Sequence, residues 1–379
     1  MRIGIVAGEA SGDALGADLI AQVRKRHPTA TIEGIGGPKM QAQGCRSLYP
    51  MERLSLIGLV EVLRHLPALL RMRADLKRHF VENPPDIFIG VDAPDFNLRL
   101  ERGLKEHGIP VVHYVSPMVW AWRSYRTRRI ARSIDLLLTL FPFEARFFEK
   151  HQVPVEFVGH PLFDAIPPEC PQGPARLALG FSADDQVIAL LPGSRNGELH
   201  RLGELFLDTA AWLAEQRPGL RFLSALTSQG HADWMRERIA ARDNLPPIDL
   251  IVGRSKEVMQ ASDVVLMASG TAALEAMVLK RPMVVAYRLA PLTYFLMKRM
   301  VKVKVFSPPN LLLDTPLVPE LIQDQARTES LGAEVLDLLE NQQRRQNMVN
   351  AFDRLHRQLR MGASARAAQA VLGLLESRR

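Results

Sequence analysis

An apolar run that ends at Val91 is followed by two acidic residues, Asp92 and Asp95. A parallel sheet binds its ligands beyond the carboxyl ends of its strands, and a carboxylate placed there can act as a general base. Asp95 stands directly before Phe96, where a helix-like stretch begins, so a helix cap is the alternative for this residue. We therefore predict that Asp92 is the catalytic base.

Two strand ends in the second half of the chain suit a phosphate-bearing ligand. Arg195 follows the predicted strand Val187–Leu191 in a flexible Pro-Gly-Ser stretch, and its guanidinium fork can bind two phosphate oxygens. After the predicted strand Asp263–Met267, Ser269 and Thr271 can cap a helix whose first N–H groups would face a diphosphate. Together, these features predict a nucleotide-binding site in one lobe.

Glu275 lies about one turn into the helix that follows Thr271. Its carboxylate could accept hydrogen bonds from ribose hydroxyls, and an ordinary acid on a helix surface is the alternative. The second half of the sequence has no DxD-like cluster, and none of the ten histidines pairs with another at zinc-ligand spacing. We predict no essential metal and no cofactor.

Further candidates lie in the first half of the chain. The stretch Gly8–Asp13 joins a strand to a helix, so its N–H groups could face a ligand; a tight turn with Ser11 and Asp13 as helix caps is the alternative. The stretch His113–Arg123 contains two indoles and a cation, as carbohydrate and phosphate sites often do, although paired tryptophans also pack between lobes. The candidate acceptor-side residues are Glu9, Ser11, Gly12, His113, Ser116, Trp120 and Arg123.

Short apolar or β-branched runs alternate with helix-like segments along the chain, which is typical of parallel α/β sheets. The pattern pauses at Pro161–Pro174, where five prolines predict a linker, and then resumes. The predicted strands are Arg2–Ala7, Thr31–Ile35, Asp86–Val91, Val111–Val115, Leu136–Leu140, Val155–Val158, Val187–Leu191, Arg221–Leu226, Asp249–Val252, Asp263–Met267 and Met283–Tyr287.

This alternation predicts an α/β protein with two Rossmann-like lobes. The first, acceptor-side lobe is expected over residues 1–165 and the nucleotide-binding lobe over residues 175–345. C-terminal helices over residues 346–379 have apolar positions three and four residues apart. They either pack on the first lobe or pair with a second subunit, which would give a homodimer.

The composition narrows the classes of partner. With 379 residues, of which 47% are hydrophobic, the chain can form two domains with a sizeable core. A formal net charge of +7 suits nucleic acid, a phosphorylated substrate or an acidic membrane surface. Regular RNA-binding motifs are absent, so we predict no nucleic-acid partner. The two cysteines lack metal or disulfide spacing, and no apolar run suits a signal peptide or a membrane span, which fits the cytoplasm.

The segment Leu59–Phe80 mixes leucines with arginines and lysines, which is typical of an interfacial helix. An ordinary helix that buries its leucines against the sheet is the alternative. A second basic stretch, Lys298–Lys304, has the same two interpretations. The predicted membrane contacts are Leu63, Leu66, Leu69 and Leu70.

Two long and chemically unusual strings stand close together, Tyr114–Pro117 and Trp120–Arg123. Others precede and follow them: Ala7–Asp13, Asp92–Asn97, Leu191–Arg195 and Ala268–Glu275. In order and spacing, these strings resemble the lipid-A-disaccharide synthase family, and the resemblance runs from the first residue to the final helices.

The resemblance implies a GT-B architecture and the inverting transfer of 2,3-diacylglucosamine from its UDP derivative. The acceptor would be 2,3-diacylglucosamine 1-phosphate, joined through a β-1,6 bond with loss of UDP. Such acylated substrates imply a peripheral protein on the inner face of the cytoplasmic membrane.

Residue by residue, the resemblance implies Asp92 as the base and Glu275 as a ribose ligand. The sequence departs from the family pattern at Ala286, where glycine is expected, and at Pro309, an extra proline. Both departures concern local backbone details. The remaining donor-side residues that the resemblance implies are Ser194, Arg195, Gly270, Thr271 and Asn310.

Two other functions fit the same architecture. A UDP-sugar epimerase would share the nucleotide contacts but release a free epimer instead of a disaccharide. A non-catalytic nucleotide-binding protein would not turn over a UDP-sugar at all.

Overall fold

The structure is a computed structural model and describes residues 1–54, 59–122, 124–290, 294 and 305–378. The chain forms two compact units, Met1–Asp164 with Arg360–Arg379 and Ala165–Leu359. Each unit contains one parallel sheet with helices, so the predicted α/β architecture with two Rossmann-like lobes is confirmed.

The first unit has a seven-stranded parallel sheet. Its strands are β1 (Arg2–Ala7), β2 (Thr31–Ile35), β3 (Cys45–Ser47), β4 (Ile87–Val91), β5 (Val111–Tyr114), β6 (Leu136–Thr139) and β7 (Val155–Phe157). They lie in the order β3-β2-β1-β4-β5-β6-β7. Strand β4 is buried over its whole length, as expected for an apolar run in a parallel sheet that is covered on both faces.

Helices cover the first sheet with two separate cores. Their bounds are α1 (Ala10–Arg26), α2 (Pro38–Ala42), α3 (Leu59–Glu82), α4 (Pro94–Lys105), α5 (Val119–Trp122), α6 (Thr127–Ser133), α7 (Pro142–Lys150) and α8 (Pro161–Ala165). Ile87 and Ile89 pack on the α1 side, whereas Phe88 packs on the side of α3, α4 and α6. This alternation follows from the period of two along a strand.

The second unit repeats the plan with six parallel strands. They are β8 (Val187–Leu191), β9 (Arg221–Leu226), β10 (Ile248–Val252), β11 (Val264–Ala268), β12 (Met283–Tyr287) and β13 (Glu320–Ile322), in the order β10-β9-β8-β11-β12-β13. The helices are α9 (Gly173–Leu179), α10 (Asn196–Gln216), α11 (Gln229–Ala240), α12 (Ser255–Ala261), α13 (Ala272–Val278), α14 (Pro308–Leu312), α15 (Thr328–Glu340) and α16 (Gln342–Leu359), before the last helix, α17 (Ala363–Glu376).

The predicted linker is partly helical. Helix α8 begins at Pro161 and α9 has Pro174 in its first turn, because proline is tolerated there and not in a helix interior. Residues 166–172 between these helices have no regular structure.

The C-terminal helices belong to different units. Helix α16 packs on α13 and α15 in the second unit, whereas α17 packs on α1 in the first. The expected boundary at residue 346 would divide α16. In the structure, the second unit ends at Leu359, and the chain belongs to the first unit again from Arg360. Exchange of α17 between two subunits stays a prediction. Among the described helices, none is long and apolar enough to cross a membrane.

Candidate active site

The residues that follow β1, β4, β5 and β6 form one edge of the first sheet, which we call the Asp92 edge. Strands β1, β4 and β5 end in register at this edge. Directly beyond them, Asp92, Ala93 and Val115 have positive φ angles of 53°, 44° and 82°. Residues other than glycine rarely adopt this conformation, and for a β-branched valine it is a strong outlier. Such strain persists only where the surrounding structure enforces it, which is typical of functional sites.

Asp92 is held by its backbone. Its N–H donates to the carbonyl of Tyr114 at 2.8 Å, and its own carbonyl accepts from the side chain of Asn97 at 2.8 Å. Its side chain is partly exposed, and its carboxylate has no hydrogen-bond partner in the described part of the chain. The predicted base thus has a fixed backbone and an available carboxylate.

Asp95 is not the cap of α4. The N-cap position belongs to Ala93, and Asp95 lies in the first turn with a side chain that is 97% exposed. The alternative interpretation of Asp95 as a cap is therefore wrong, because the helix begins at Pro94, earlier than the sequence indicated.

The stretch after β1 approaches the same edge. Glu9 is half-buried at the N-cap of α1, Ser11 is exposed and Gly12 is buried. No side chain caps α1. Asp13 instead accepts two backbone N–H groups of α2 at 3.0 Å each, so the alternative interpretation of Ser11 and Asp13 as caps of α1 is wrong. The hydroxyl of Ser11 makes no hydrogen bond with a described residue.

His113 is fully buried, as is its partner Glu101 on α4, and Nδ1 of His113 lies 2.6 Å from Oε1 of Glu101. Burial raises the pKa of Glu101, and the nearby His113 opposes that shift. Gly90 makes room for this pair, since a Cβ there would lie 1.9 Å from Oε1 of Glu101. A histidine enclosed in this way supports the edge from beneath and does not reach an acceptor directly.

Ser116 is also buried, and its hydroxyl donates to Oε1 of Glu144 at 2.6 Å. Burial raises the pKa of Glu144 to about 7, although hydrogen bonds from Ser116 and the backbone of Phe141 lower it. Trp120 is half-buried with its ring against Phe143, the centroids 5.0 Å apart. The predicted ligand Arg123 lies outside the described residues.

The residues that follow β8, β11, β12 and β13 form the second edge, which we call the Arg195 edge. Strands β8 and β11 pair directly, as do β11 and β12. Arg195 is the N-cap of α10 and its side chain is 79% exposed. Glu198 accepts the N–H of Ser194 at 3.0 Å and lies 3.1 Å from the Arg195 guanidinium. These contacts with Glu198 hold the loop in place. Most of the guanidinium surface remains accessible to a ligand.

Beyond β11, Ser269 is half-buried, and Gly270 and Thr271 are exposed. Thr271 is the N-cap of α13, but no side chain caps that helix, so the predicted capping by Ser269 and Thr271 is wrong. Both hydroxyls make no hydrogen bond with a described residue, which leaves them available to a ligand.

Glu275 lies in the first turn of α13 and is half-buried. Burial raises the pKa of its carboxyl, and Lys256 opposes the shift. No described residue forms a hydrogen bond with this carboxylate. A half-buried acceptor without a partner suits hydroxyl donors of a ligand better than the alternative of an ordinary surface acid.

Asn310 is buried and its side chain is fully engaged. Its Oδ1 accepts the N–H groups of Leu317 and Val318 at 3.0 Å each, and its Nδ2 donates to Glu320 at 2.7 Å. Glu320 also accepts from the hydroxyl of Ser307 at 2.6 Å. Asn310 therefore organises the chain that leads into β13.

The sequence did not predict a cavity of about 640 Å³ that lies at the ends of β12 and β13. Three arginines line it, Arg201, Arg288 and Arg327, together with one acid, Asp324. Arg201 donates through Nε to the carbonyl of Arg288 at 3.0 Å. These arginines come from three separate segments, so no motif links them in the sequence. Only the fold brings the three positive charges together.

Other buried polar residues were also missed, among them Asn97, Glu101 and Glu144. The one local signal was the spacing Phe141-x-x-Glu144, since Glu144 accepts the N–H of Phe141 at 3.1 Å as in a capping box. Among the described residues, no group of three or more His, Cys, Asp or Glu side chains could hold a metal ion.

The predicted membrane contacts differ in exposure. Leu66 and Leu70 are 41% and 39% exposed on α3, whereas Leu69 is partly buried against the core. The side chain of Leu63 and the stretch 298–304 lie outside the described residues. Helix α3 therefore has both an apolar exposed strip and a core-facing side.

The sequence matches the family model described as lipid-A-disaccharide synthetase over residues 3–373. The lipid-A-disaccharide synthase of Pseudomonas aeruginosa strain UCBPP-PA14 is 53% identical over 378 residues, covering 100% of this chain and 99% of that protein. The enzyme of the same name from Hahella chejuensis is 50% identical over 379 residues, with 100% and 96% covered.

Solved structures with low sequence identity share the fold. The UDP-GlcNAc 2-epimerase of Neisseria meningitidis, bound to UDP-GlcNAc, has a TM-score of 0.64 at 14% identity and covers both chains completely. MurG of Acinetobacter baumannii has a TM-score of 0.59 at 11% identity, with 98% of this chain and 99% of that chain covered. At these identities the likeness extends to the fold alone.

Proposed function

Because the chain belongs to the lipid-A-disaccharide synthetase family, we propose that it transfers 2,3-diacylglucosamine from its UDP derivative to 2,3-diacylglucosamine 1-phosphate. The products are the β-1,6-linked disaccharide 1-phosphate and UDP. The catalytic part of this proposal rests on one observation: the carboxylate of Asp92 is accessible at a sheet edge whose backbone is strained.

In the proposed mechanism, Asp92 removes the proton from the 6-hydroxyl of the acceptor. The resulting oxygen nucleophile attacks C1 of the donor sugar from the face opposite UDP. The bond between C1 and the UDP oxygen breaks as the new glycosidic bond forms, so the anomeric centre inverts. One displacement is sufficient, and no covalent sugar intermediate forms.

The Arg195 edge is the proposed donor site. Arg195 and the turn Ser269–Thr271 supply a guanidinium, hydroxyls and N–H groups for the diphosphate, where negative charge develops as UDP leaves. The N–H of Ser194 already donates to Glu198, so Ser194 is left with its hydroxyl for this role. Glu275 accepts the ribose hydroxyls. The arginine-lined cavity lies at the same edge and adds positive charge close to an anionic donor.

Two residues expected to bind substrate are better placed to position others. Both ends of the Asn310 amide form hydrogen bonds with the segment that leads into β13. His113 is enclosed with Glu101 inside the first unit, next to the Asp92 edge. Of the remaining acceptor-side candidates that the structure describes, Ser11 has the most accessible side chain, while Glu9 and Trp120 are half-buried at the same edge.

A basic surface next to the exposed leucines supports peripheral binding to the inner face of the cytoplasmic membrane. Helices α3, α4 and α6 pack on one face of the first sheet. Five exposed arginines on these helices form no ion pair with a described residue: Arg71, Arg99, Arg128, Arg129 and Arg132. Each basic residue near anionic lipid contributes about 1 kcal/mol, which adds to the burial of Leu66 and Leu70. Acylated substrates would then meet the enzyme at the bilayer.

Packing of the C-terminal helix on the first unit or on a partner subunit bears on oligomeric state. We retain the homodimer as a proposal, with light scattering of the purified protein as its test. A single molar mass equal to that of one chain would reject it.

The deciding assay for the reaction uses both acylated substrates. UDP release is expected only when acylated donor and acylated acceptor are both present, with a disaccharide as the product. An epimerase would instead give a free epimer from the donor alone, and that alternative is supported only by likeness of fold.

A further inference from the structure

Asn97 lies four residues after Ala93, the N-cap of α4, and is completely buried. Its Nδ2 faces three backbone carbonyls, those of Val6 at 3.2 Å, Val91 at 3.4 Å and Asp92 at 2.8 Å. Three acceptors around one end of the amide identify that end as the NH₂ group. The side chain thus ties the end of β1 to the end of β4.

The shortest of these hydrogen bonds reaches the residue whose backbone is strained. Asp92 and Ala93 adopt left-handed conformations in succession, and neither is a glycine. Ala93 has no side chain that could cap α4, so the turn lacks the usual support from an N-cap. Asn97 instead holds this turn from inside the helix, by donating to the carbonyl of Asp92.

The oxygen end of the Asn97 amide indicates that this side chain does more than stabilise the fold. Its Oδ1 is buried and has no hydrogen-bond partner among the described residues. A buried polar atom without a partner destabilises the fold, and an apolar side chain of similar size would avoid that cost. The donor group of Asn97 is therefore what the position requires.

We propose that Asn97 is a positioning residue that holds the strained Asp92–Ala93 turn, and with it the carboxylate of Asp92, in the geometry for proton removal. This inference rests on the proposed function, in which Asp92 is the base. A displacement of the base by about 1 Å can lower a rate by about 10²-fold, so a backbone hydrogen bond here acts directly on turnover.

The first test replaces Asn97 with leucine, which keeps the volume and removes the donor. We expect kcat to fall about 10- to 100-fold while KM for both substrates changes by less than about twofold. The assay is run well below the melting temperature of the variant. Ser133→Ala is the control, because Ser133 is a buried residue of the same unit whose hydroxyl donates to a backbone carbonyl at 2.9 Å, away from the Asp92 edge. It should lower stability without lowering kcat.

A second test moves the same turn without touching Asn97. A Cβ at Gly8 would lie 2.7 Å from the Cβ of Ala93, so Gly8→Ala should displace the turn and lower kcat. Adding Ala93→Gly removes the clashing atom and should restore most of the lost turnover. Asn97→Leu with a lower melting temperature and unchanged kcat would overturn the proposal. If Asn97→Leu does not fold, Gly8→Ala with unchanged kcat would overturn it equally.

Failure of the proposed function can be distinguished from failure of the positioning role. If Asp92→Ala keeps near-normal turnover, the assignment of the base is wrong. If Asp92→Ala is inactive while Asn97→Leu and Gly8→Ala retain kcat, only the positioning role is wrong.

Discussion

At the Asp92 edge, buried and paired polar side chains lie around the partly exposed carboxylate of Asp92; at the Arg195 edge, the proposed donor-binding side chains of Arg195, Thr271 and Glu275 are exposed or half-buried. His113 contacts Glu101 and Ser116 contacts Glu144 inside the first unit. By contrast, Arg195 is 79% exposed, and Thr271 has no described hydrogen-bond partner. Both edges terminate parallel sheets of similar design, so the sheet itself does not cause the difference.

The difference corresponds to two tasks. In our proposal, buried pairs and left-handed backbone fix the carboxylate of the proposed base before the substrate arrives, and such preorganisation lowers the barrier of the chemical step. Exposed groups without internal partners obtain their hydrogen bonds from a ligand and therefore contribute mainly to binding. Changes at the Asp92 edge should then affect turnover, and changes at the Arg195 edge should affect affinity.

The largest expected effect is on turnover. Asp92→Ala should lower kcat by about 10²- to 10⁴-fold, because the acceptor hydroxyl loses its general base. The melting temperature should change little, since the carboxylate has no partner among the described residues. Asp95→Ala is the matched control, with a side chain that is 97% exposed three residues away, and should keep near-normal turnover. Equal losses in the two variants would contradict the comparison.

Next in size is the affinity for UDP. Arg195→Ala and Glu275→Ala should each weaken UDP binding, by about 10- to 100-fold for the charged hydrogen bonds of Arg195. Isothermal titration calorimetry gives the dissociation constants directly. Arg236→Ala removes an exposed arginine on α11 and should leave them unchanged. Unchanged affinity in both test variants would remove the donor site from the second unit.

A smaller effect is expected at the proposed membrane surface. Replacing Leu66 and Leu70 with serine should reduce sedimentation with anionic liposomes and leave the melting transition intact, because both side chains are exposed. Leu69→Ser should instead lower the melting temperature, since Leu69 packs against the core. Leu177→Ser is the control, with a leucine of the second unit that is 82% exposed. Equal liposome binding by wild type and the double variant would place the membrane surface elsewhere.

The smallest predicted effect concerns pH and the buried Glu144. Its pKa is raised to about 7 in the folded state from 4.5 in the unfolded state, so between these values only the folded protein keeps the proton. The unfolded state then binds fewer protons, and stability falls as pH rises from about 4.5 to 7. Glu144→Gln should remove this fall, because its amide stays neutral.

Thermal melts at pH 5 and pH 7 measure this change. The loss of melting temperature between the two pH values should be smaller in Glu144→Gln than in wild type. Glu149→Gln, an exposed acid on the same helix, should behave like wild type. Identical pH dependence in all three proteins would show that Glu144 does not titrate as its burial indicates.

Apolar periodicity predicted most of the fold. Strands such as Arg2–Ala7 and Val187–Leu191 have the predicted bounds because their apolar runs are long and end at turn residues. Strands β3 and β13 were missed, since three residues are too few to establish a period of two. The linker was predicted from its prolines, but the short helices that begin at Pro161 and beside Pro174 were not.

The candidate site was harder to predict than the fold. Asp92 and Arg195 became candidates because polar residues at strand ends are a local signal, and Glu275 because it lies one turn into the helix that follows such an end. Asn97 and the Glu101–His113 pair depend on contacts between α4 and the sheet, which no local spacing encodes. The alternative that the sequence offered for Asp13 was a cap for its own helix, whereas in the fold Asp13 accepts two N–H groups of α2.

The most direct test of the division between the two edges is steady-state kinetics of Asp92→Ala and Glu275→Ala with varied donor and saturating acceptor. Loss of a ribose contact that is equal in ground and transition states should raise KM for the donor and leave kcat within about threefold of wild type. Loss of the base should lower kcat by at least about 10²-fold and leave the donor KM nearly unchanged. The account predicts these opposite patterns, and the same pattern in both variants would contradict it.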